Sequence, residues 1–156
     1  MKIATGTGEW TLVTNISELA AGDKIVIVAK DYNYALSTTQ NKNNRGQAAV
    51  TKNGNIVTFG DDVQIITLES GTTAGSYAFN VGNGYLYAAS SSSNHLKTET
   101  TLSANSSWAI TIAASGTATI KATGSNTRNW LRYNKTSSLF SCDGSNQQDV
   151  VIYKQN

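Results

Sequence analysis

The chain has 156 residues, enough for one hydrophobic core and short for two independent domains. Only 14% of residues are charged and 39% are hydrophobic, whereas Ser (17), Thr (20) and Asn (16) supply about a third of the chain, and proline is absent. The Val/Ile/Thr/Tyr-rich segments exclude a mainly helical protein, and 12 Lys and Arg against 10 Asp and Glu, a formal net charge of +2, exclude one whose main task is gripping phosphate backbones.

In chain order, residues 1–9, with Gly6-Thr7-Gly8, read as a linker or tail ahead of a single domain at 10–156. Trp10-Thr11-Leu12-Val13 predicts a strand that packs against that domain or covers an edge of it. Residues 15–23 offer a cap at Asn15 and a stop at Gly22, but room for two turns at most, so they predict a 3₁₀ or turn connection. From residue 24 onward, segments of four to seven β-formers alternate with Gly, Asn, Asp and Ser clusters about every ten residues. The first unit, about 24–69, predicts strands at 24–29, 33–37, 47–51 and 62–68, with a polar insertion from Gln40 to Arg45. A second unit, about 77–112, predicts strands at 77–81, 84–89, 95–98 and 107–112. The third, about 117–154, predicts them at 117–122, 129–134, 138–142 and 149–154.

Two landmarks support the repeat. An aromatic opens each second strand as Tyr34, Tyr85 and Trp130, and the closing strands carry Val63-x-Ile65, Trp108-x-Ile110 and Val150-x-Ile152. Both give a period in the forties or just above. Three units of four strands make twelve, the arithmetic of an all-β β-trefoil, with Leu36, Leu86 and Leu131 as a shared inner layer. Three propeller blades would be too few to close a ring, and an immunoglobulin-like sandwich predicts no threefold repeat.

With a Gly84-Tyr85-Leu86 second strand, a short third strand and a closing Trp108-x-Ile110, residues 24–154 resemble the ricin-type and fascin-type trefoils. The tracts 85–97 and 129–142 are also similar to C-terminal modules of secreted or surface proteins from Bacteroides-type bacteria. The first resemblance implies either sugar binding or protein binding through loops, as in inhibitor-like trefoils. Ricin-type repeats end in Gln-x-Trp; here the matching stretches read Val63-Gln64-Ile65, Ser106-Ser107-Trp108 and Gln147-Gln148-Asp149, and the early aspartate of such sites is matched only by Asp31. The resemblance therefore carries the fold further than the sugar site.

Catalytic chemistry finds few candidates. His95 is the only histidine and Cys142 the only cysteine, so no disulfide can close within the chain and no Cys-based zinc site can form. Asp61-Asp62 is the only adjacent acidic pair, and neighbours on a strand face opposite ways. No catalytic residue, metal ligand or cofactor is expected. Uncharged polyols fit better: sugars pack their C–H faces on aromatic rings and exchange hydrogen bonds with amides and hydroxyls. The expected ligand contacts are Asp31, Tyr87, Asn94, His95, Asn126, Trp130, Arg132 and Asn134, with His95 at an exposed loop edge and Arg132 facing solvent; Tyr34, Tyr85 and Trp130 compete for a packing role. The partner is then a glycan or an extracellular protein, and not a nucleic acid. The longest apolar stretch, 25–29, is too short to span a membrane as a helix, and the Met1-Lys2 start lacks the apolar run of an export signal. A secreted or cell-surface module, appended to a larger protein whose signal lies outside this sequence, is the expected setting.

Overall fold

A computed structural model describes residues 9–156; the tail reading of residues 1–8 lies outside the described residues. Glu9 is drawn into the domain, its backbone carbonyl accepting from the Asn156 amide at 2.8 Å. Fourteen strands follow among the described residues: β1 (Trp10–Leu12), β2 (Lys24–Ala29), β3 (Tyr34–Gln40), β4 (Arg45–Asn53), β5 (Ile56–Phe59), β6 (Ile66–Ser70), β7 (Tyr77–Asn80), β8 (Tyr85–Ala88), β9 (Leu96–Glu99), β10 (Ser107–Ile112), β11 (Thr117–Ala122), β12 (Trp130–Asn134), β13 (Leu139–Asp143) and β14 (Val150–Gln155). Asn15 caps a 3₁₀ turn at Ile16–Glu18 by accepting from the Ser17 amide at 2.9 Å. A second such turn, Ala104–Ser106, is not signalled by the sequence pattern.

The pairing closes a ring. β2 pairs with β6, β6 with β7, β7 with β10, β10 with β11, β11 with β14, and β14 returns to β2. Hairpins β3–β4, β8–β9 and β12–β13 hang from this six-stranded barrel, one per unit. The chain is a β-trefoil. Turn chemistry fits the hairpins: Gly84 enters β8 at φ 154°, and a Cβ there would stand 2.5 Å from the Glu99 carbonyl oxygen.

Two strands exceed the trefoil count. β1 pairs with β14 and with β5, and β5 extends from β4, so together they cover the outer side of the first unit. This produces two cores. The inner one gathers Ile25, Ile27, Leu36, Leu68, Phe79, Leu86, Leu96, Trp108, Leu131, Phe140 and Ile152; the outer one holds Trp10, Val26, Val28, Ala35, Val57, Val151 and Tyr153. The unbroken apolar runs at 25–29 and 150–153 follow directly, because β2 and β14 bury both faces. β11, buried mainly on one face, keeps the alternation expected of a half-buried strand.

The barrel register corrects two landmarks. Ile25, Tyr77 and Ala118 on the first barrel strands face the inner core and pair with Ile66, Trp108 and Val150. The closing landmark of the first unit is thus Ile66-x-Leu68, three residues beyond Val63, which makes only an isolated bridge to Ser37. Leu36, Leu86 and Leu131 do share the inner core, but the residues just ahead of them are Ala35, Tyr85 and Trp130. Tyr34 is therefore one position out of phase with Tyr85 and Trp130. A one-residue step along a strand reverses the face.

Candidate functional site

Opposed residues of an antiparallel hairpin project from one face, with Cβ atoms about 5 Å apart. In the third unit the outward face carries Trp130, Arg132 and Asn134 opposite Asp143, Ser141 and Leu139. In the second it carries Tyr85 and Tyr87 opposite Glu99 and Lys97. The matching position of the first unit is Ala35, sealed in the outer core beneath β1 and β5. Two hairpins thus present polar and aromatic outer faces, while the third is used for packing.

Trp130 is half-buried, and its ring already holds two cations: the Lys121 ammonium lies 4.6 Å from the centroid and the Arg132 guanidinium 4.1 Å. Arg132 is only 7% exposed, which corrects the expectation that it faces solvent. It donates to the Gln147 and Gln148 carbonyls at 2.8 and 3.1 Å and pairs with Asp149 at 3.0 Å, so the 144–149 segment folds over it. Asp143 Oδ1 accepts from the Ser145 and Asn146 amides. Asn134 is half-buried, and its Oδ1 accepts from the Ser137 amide in the hairpin turn.

On the second hairpin the Tyr85 hydroxyl donates to Glu69 at 3.0 Å, and the Asn80 amide to the other oxygen of Glu69 at 2.6 Å. That hydrogen bond, and then the nearby charge, hold the Tyr85 phenol above its ordinary range. A shallow cavity of about 210 Å³ opens beside it, lined by Asn80, Gly82, Asn83, Gly84, Tyr85 and Thr100. Tyr87 is half-exposed next along the strand. Neither Tyr85 nor Trp130 belongs to a buried core, so both leave the packing role to the leucine that follows them.

The loops of the second and third units lock together. Asn126 donates to the Ala88 carbonyl at 2.7 Å, Thr127 bonds Ser91, and Arg128 donates to Asn94 Oδ1 at 2.8 Å. Asn94 and Asn126 are thereby brought to one seam, though both spend side-chain atoms on holding it. His95, half-buried rather than exposed, offers its carbonyl to the Ala89 amide at the edge of that seam. Asp31 lies elsewhere, exposed in the turn before β3. Burial lowers the pKa of the neighbouring Lys52 amine, and the Asp31 charge offsets part of that. Close to Asp31, Tyr34 (37% exposed) stacks on Tyr133 at 6.4 Å, and Tyr32 lies 5.6 Å from the same ring. Tyr32, missed in the sequence, had only its place two residues before Tyr34 as a signal. A wider cleft of about 470 Å³ between 19–21 and 70–77 is lined by uncharged residues, with Tyr77 donating to the Leu19 carbonyl.

Among the described residues, no group of three or more His, Cys, Asp or Glu could hold a metal ion, and no helix is long and apolar enough to cross a membrane. Cys142 is fully buried, and burial, followed by the Asp143 charge, pushes its thiol well above the usual 9.0. The folded state therefore keeps a proton that the unfolded thiol gives up, so stability is full below pH 9 and falls as pH rises through it. Wild type is expected to lose about 1 kcal/mol more than Cys142→Ala between pH 9 and 10, read from denaturant midpoints at each pH. Equal losses in the two proteins would remove the buried thiol from the account.

No protein-family model matches the chain, and no curated protein matches it. Among solved structures it is similar to the BEL β-trefoil in an apo crystal form, with 17% identity and a TM-score of 0.64 over 91% of this chain and 99% of that one. It is also similar to part of a GH43 β-1,3-galactosidase (12%, TM-score 0.60, 92% of this chain and 29% of that one) and to ThreeFoil, a designed threefold-symmetric protein (16%, 0.51, 85% and 90%). At these identities the likenesses establish the fold.

Proposed function

We propose that this β-trefoil is a non-catalytic carbohydrate-binding module. One observation carries the reading: on two hairpins a half-exposed aromatic stands directly opposite a carboxylate, Tyr85 against Glu99 and Trp130 against Asp143. An aromatic side chain beside a fixed acceptor is what a sugar needs: the Tyr85 ring offers a face for its C–H surface, the Trp130 indole its edge, and the carboxylates orient its hydroxyls. The surrounding Asn, Ser and Thr loops add neutral donors and acceptors without dense charge. We further propose an exported bacterial protein as the setting. The galactosidase supports a composite one: this chain spans 29% of that glycosidase's length, which is the pattern of a trefoil joined to a glycan-acting partner.

A glycan array tests the reading. Wild type should retain at least one glycan, and the Tyr85→Ala/Trp130→Ala double variant should lose about tenfold or more, given aromatic contacts of about 1 kcal/mol each. An array blank for the wild type, with the fold intact by circular dichroism, would sink the reading.

A further inference from the structure

Three buried side-chain polar atoms lack a hydrogen-bond partner among the described residues: Trp130 Nε1, Ser141 Oγ and Asp143 Oδ2. All three belong to one hairpin and one face of it, because Trp130 pairs with Asp143 and Arg132 with Ser141. The contrast with Trp108 is direct, for its indole N–H is donated to the Leu86 carbonyl at 3.1 Å. Buried polar groups are nearly always satisfied. Three orphans on a single face mark a place built for something else.

Their chemistry narrows what that is. The indole N–H can only donate, and a carboxylate oxygen accepts. A metal cation at Asp143 would meet the indole N–H and the Arg132 guanidinium on the same face; an anion at the indole would meet Asp143. A neutral hydroxyl satisfies both, accepting from Nε1–H and donating to Oδ2, and a neighbouring hydroxyl can serve Ser141. The face of the Trp130 ring is engaged by Lys121 and Arg132, so the indole contributes its edge.

The 144–148 segment is tied to the same face, through Arg132 and through Asp143 Oδ1. Residues 144–146 are exposed, Gln147 sits at φ 84°, a conformation rarely adopted by a residue with a side chain, and Arg132 holds the Gln147 and Gln148 carbonyls. We infer that the third hairpin is the principal sugar site, and that a neutral saccharide enters beneath this turn and places one hydroxyl between Trp130 Nε1 and Asp143 Oδ2. The inference rests on the carbohydrate reading above and goes further, to an uncharged diol-bearing ring held by an indole edge.

The test is a titration of the whole chain, labelled with nitrogen-15, with the methyl glycosides of galactose, glucose, mannose and N-acetylglucosamine, following the indole N–H signals assigned through Trp→Phe variants. With at least one glycoside the Trp130 signal should shift saturably while that of Trp108 stays in place. Trp130→Phe, which keeps a six-membered aromatic ring but removes the N–H together with the pyrrole ring, should weaken binding about tenfold or more, at least the size of one strong hydrogen bond. Asp143→Asn should do the same: its oxygen still caps the Ser145 and Asn146 amides, so an NH₂ turns toward the indole. Thermal midpoints close to wild type would show that both variants fold. A stationary Trp130 signal with a glycan-positive array overturns this site alone and is also the result expected if the orphans hold only ordered water. A blank array overturns the carbohydrate reading itself. Wild-type affinity in Trp130→Phe likewise overturns the site.

Discussion

Trp108→Ala is expected to lower stability by about 5 kcal/mol, the upper end for deleting a buried tryptophan, and to depress the thermal midpoint by roughly 10–20 °C. The ring is fully buried at the start of β10, stacked on Phe79 with centroids 5.5 Å apart and planes 7° from parallel. It pairs across the barrel with Tyr77 and on its other side with Ala122, so it joins the second unit to the third. Removing it opens a cavity that a closed six-stranded barrel cannot easily collapse, and it strands the Leu86 carbonyl that its N–H serves. Trp108→Phe keeps the stack and loses the hydrogen bond, so a drop of about 1–2 kcal/mol is expected. Urea unfolding of the three proteins gives the comparison; an alanine variant within 2 kcal/mol of wild type would show that the barrel repacks.

The second large effect belongs to Arg45, which is 2% exposed and has no carboxylate among its partners. Its guanidinium donates to Gln40 Oε1 and Gln64 Oε1 at 2.9 Å each, to the Ser37 carbonyl at 3.2 Å and to Thr98 Oγ1 at 2.9 Å. Burial alone lowers its pKa from the usual guanidinium range to about 10. The neutral acceptors come from the first unit and from β9 of the second, so this one side chain ties the polar insertion at 40–45 to the next repeat. Gln40 reinforces the tie by donating to the Leu96 carbonyl and accepting from Thr98. Arg45→Met would fill similar space but leave the buried Ser37 carbonyl and the half-buried Gln64 and Thr98 acceptors without a donor, at a cost of about 3 kcal/mol. Arg45→Lys keeps the charge and loses the fork, and should recover less than half of that. Both follow from thermal unfolding at neutral pH, where a loss near 3 kcal/mol is roughly 6–12 °C. A methionine variant as stable as wild type would mean that the desolvation of the charge had offset all four hydrogen bonds.

Strand periodicity was legible because it is local. The runs at 24–29, 107–112 and 117–122 coincide with β2, β10 and β11, and the capped turn after Asn15 forms as its residues require. β5 escaped notice because a fifth strand breaks a four-strand repeat, although Ile56-Val57-Thr58-Phe59 has ordinary β-forming composition. The positions of the candidate residues were legible only in part. Trp130, Tyr87, Asn94 and Asn126 lie on the second and third units as read, but Arg132 turns inward, and Tyr34 faces Tyr133 and the inner rim. Asp143 and Ser141 carried no signal, since nothing within their own strand announces that a tryptophan stands across from one of them.

The sequence by itself determined most of the strands, their grouping into three units and the leucines that fill the inner core, because alternation along a strand is written in consecutive residues. It could not determine what lies over the outer face. That was decided by contacts between distant segments: Trp10 pairs with Val57 on one side and Gln155 on the other, sealing the first hairpin, while the second and third keep their outward side chains for other partners. A threefold pattern in the chain therefore yields an unequal set of surfaces, since burial of an outer face depends on which remote strand arrives to cover it.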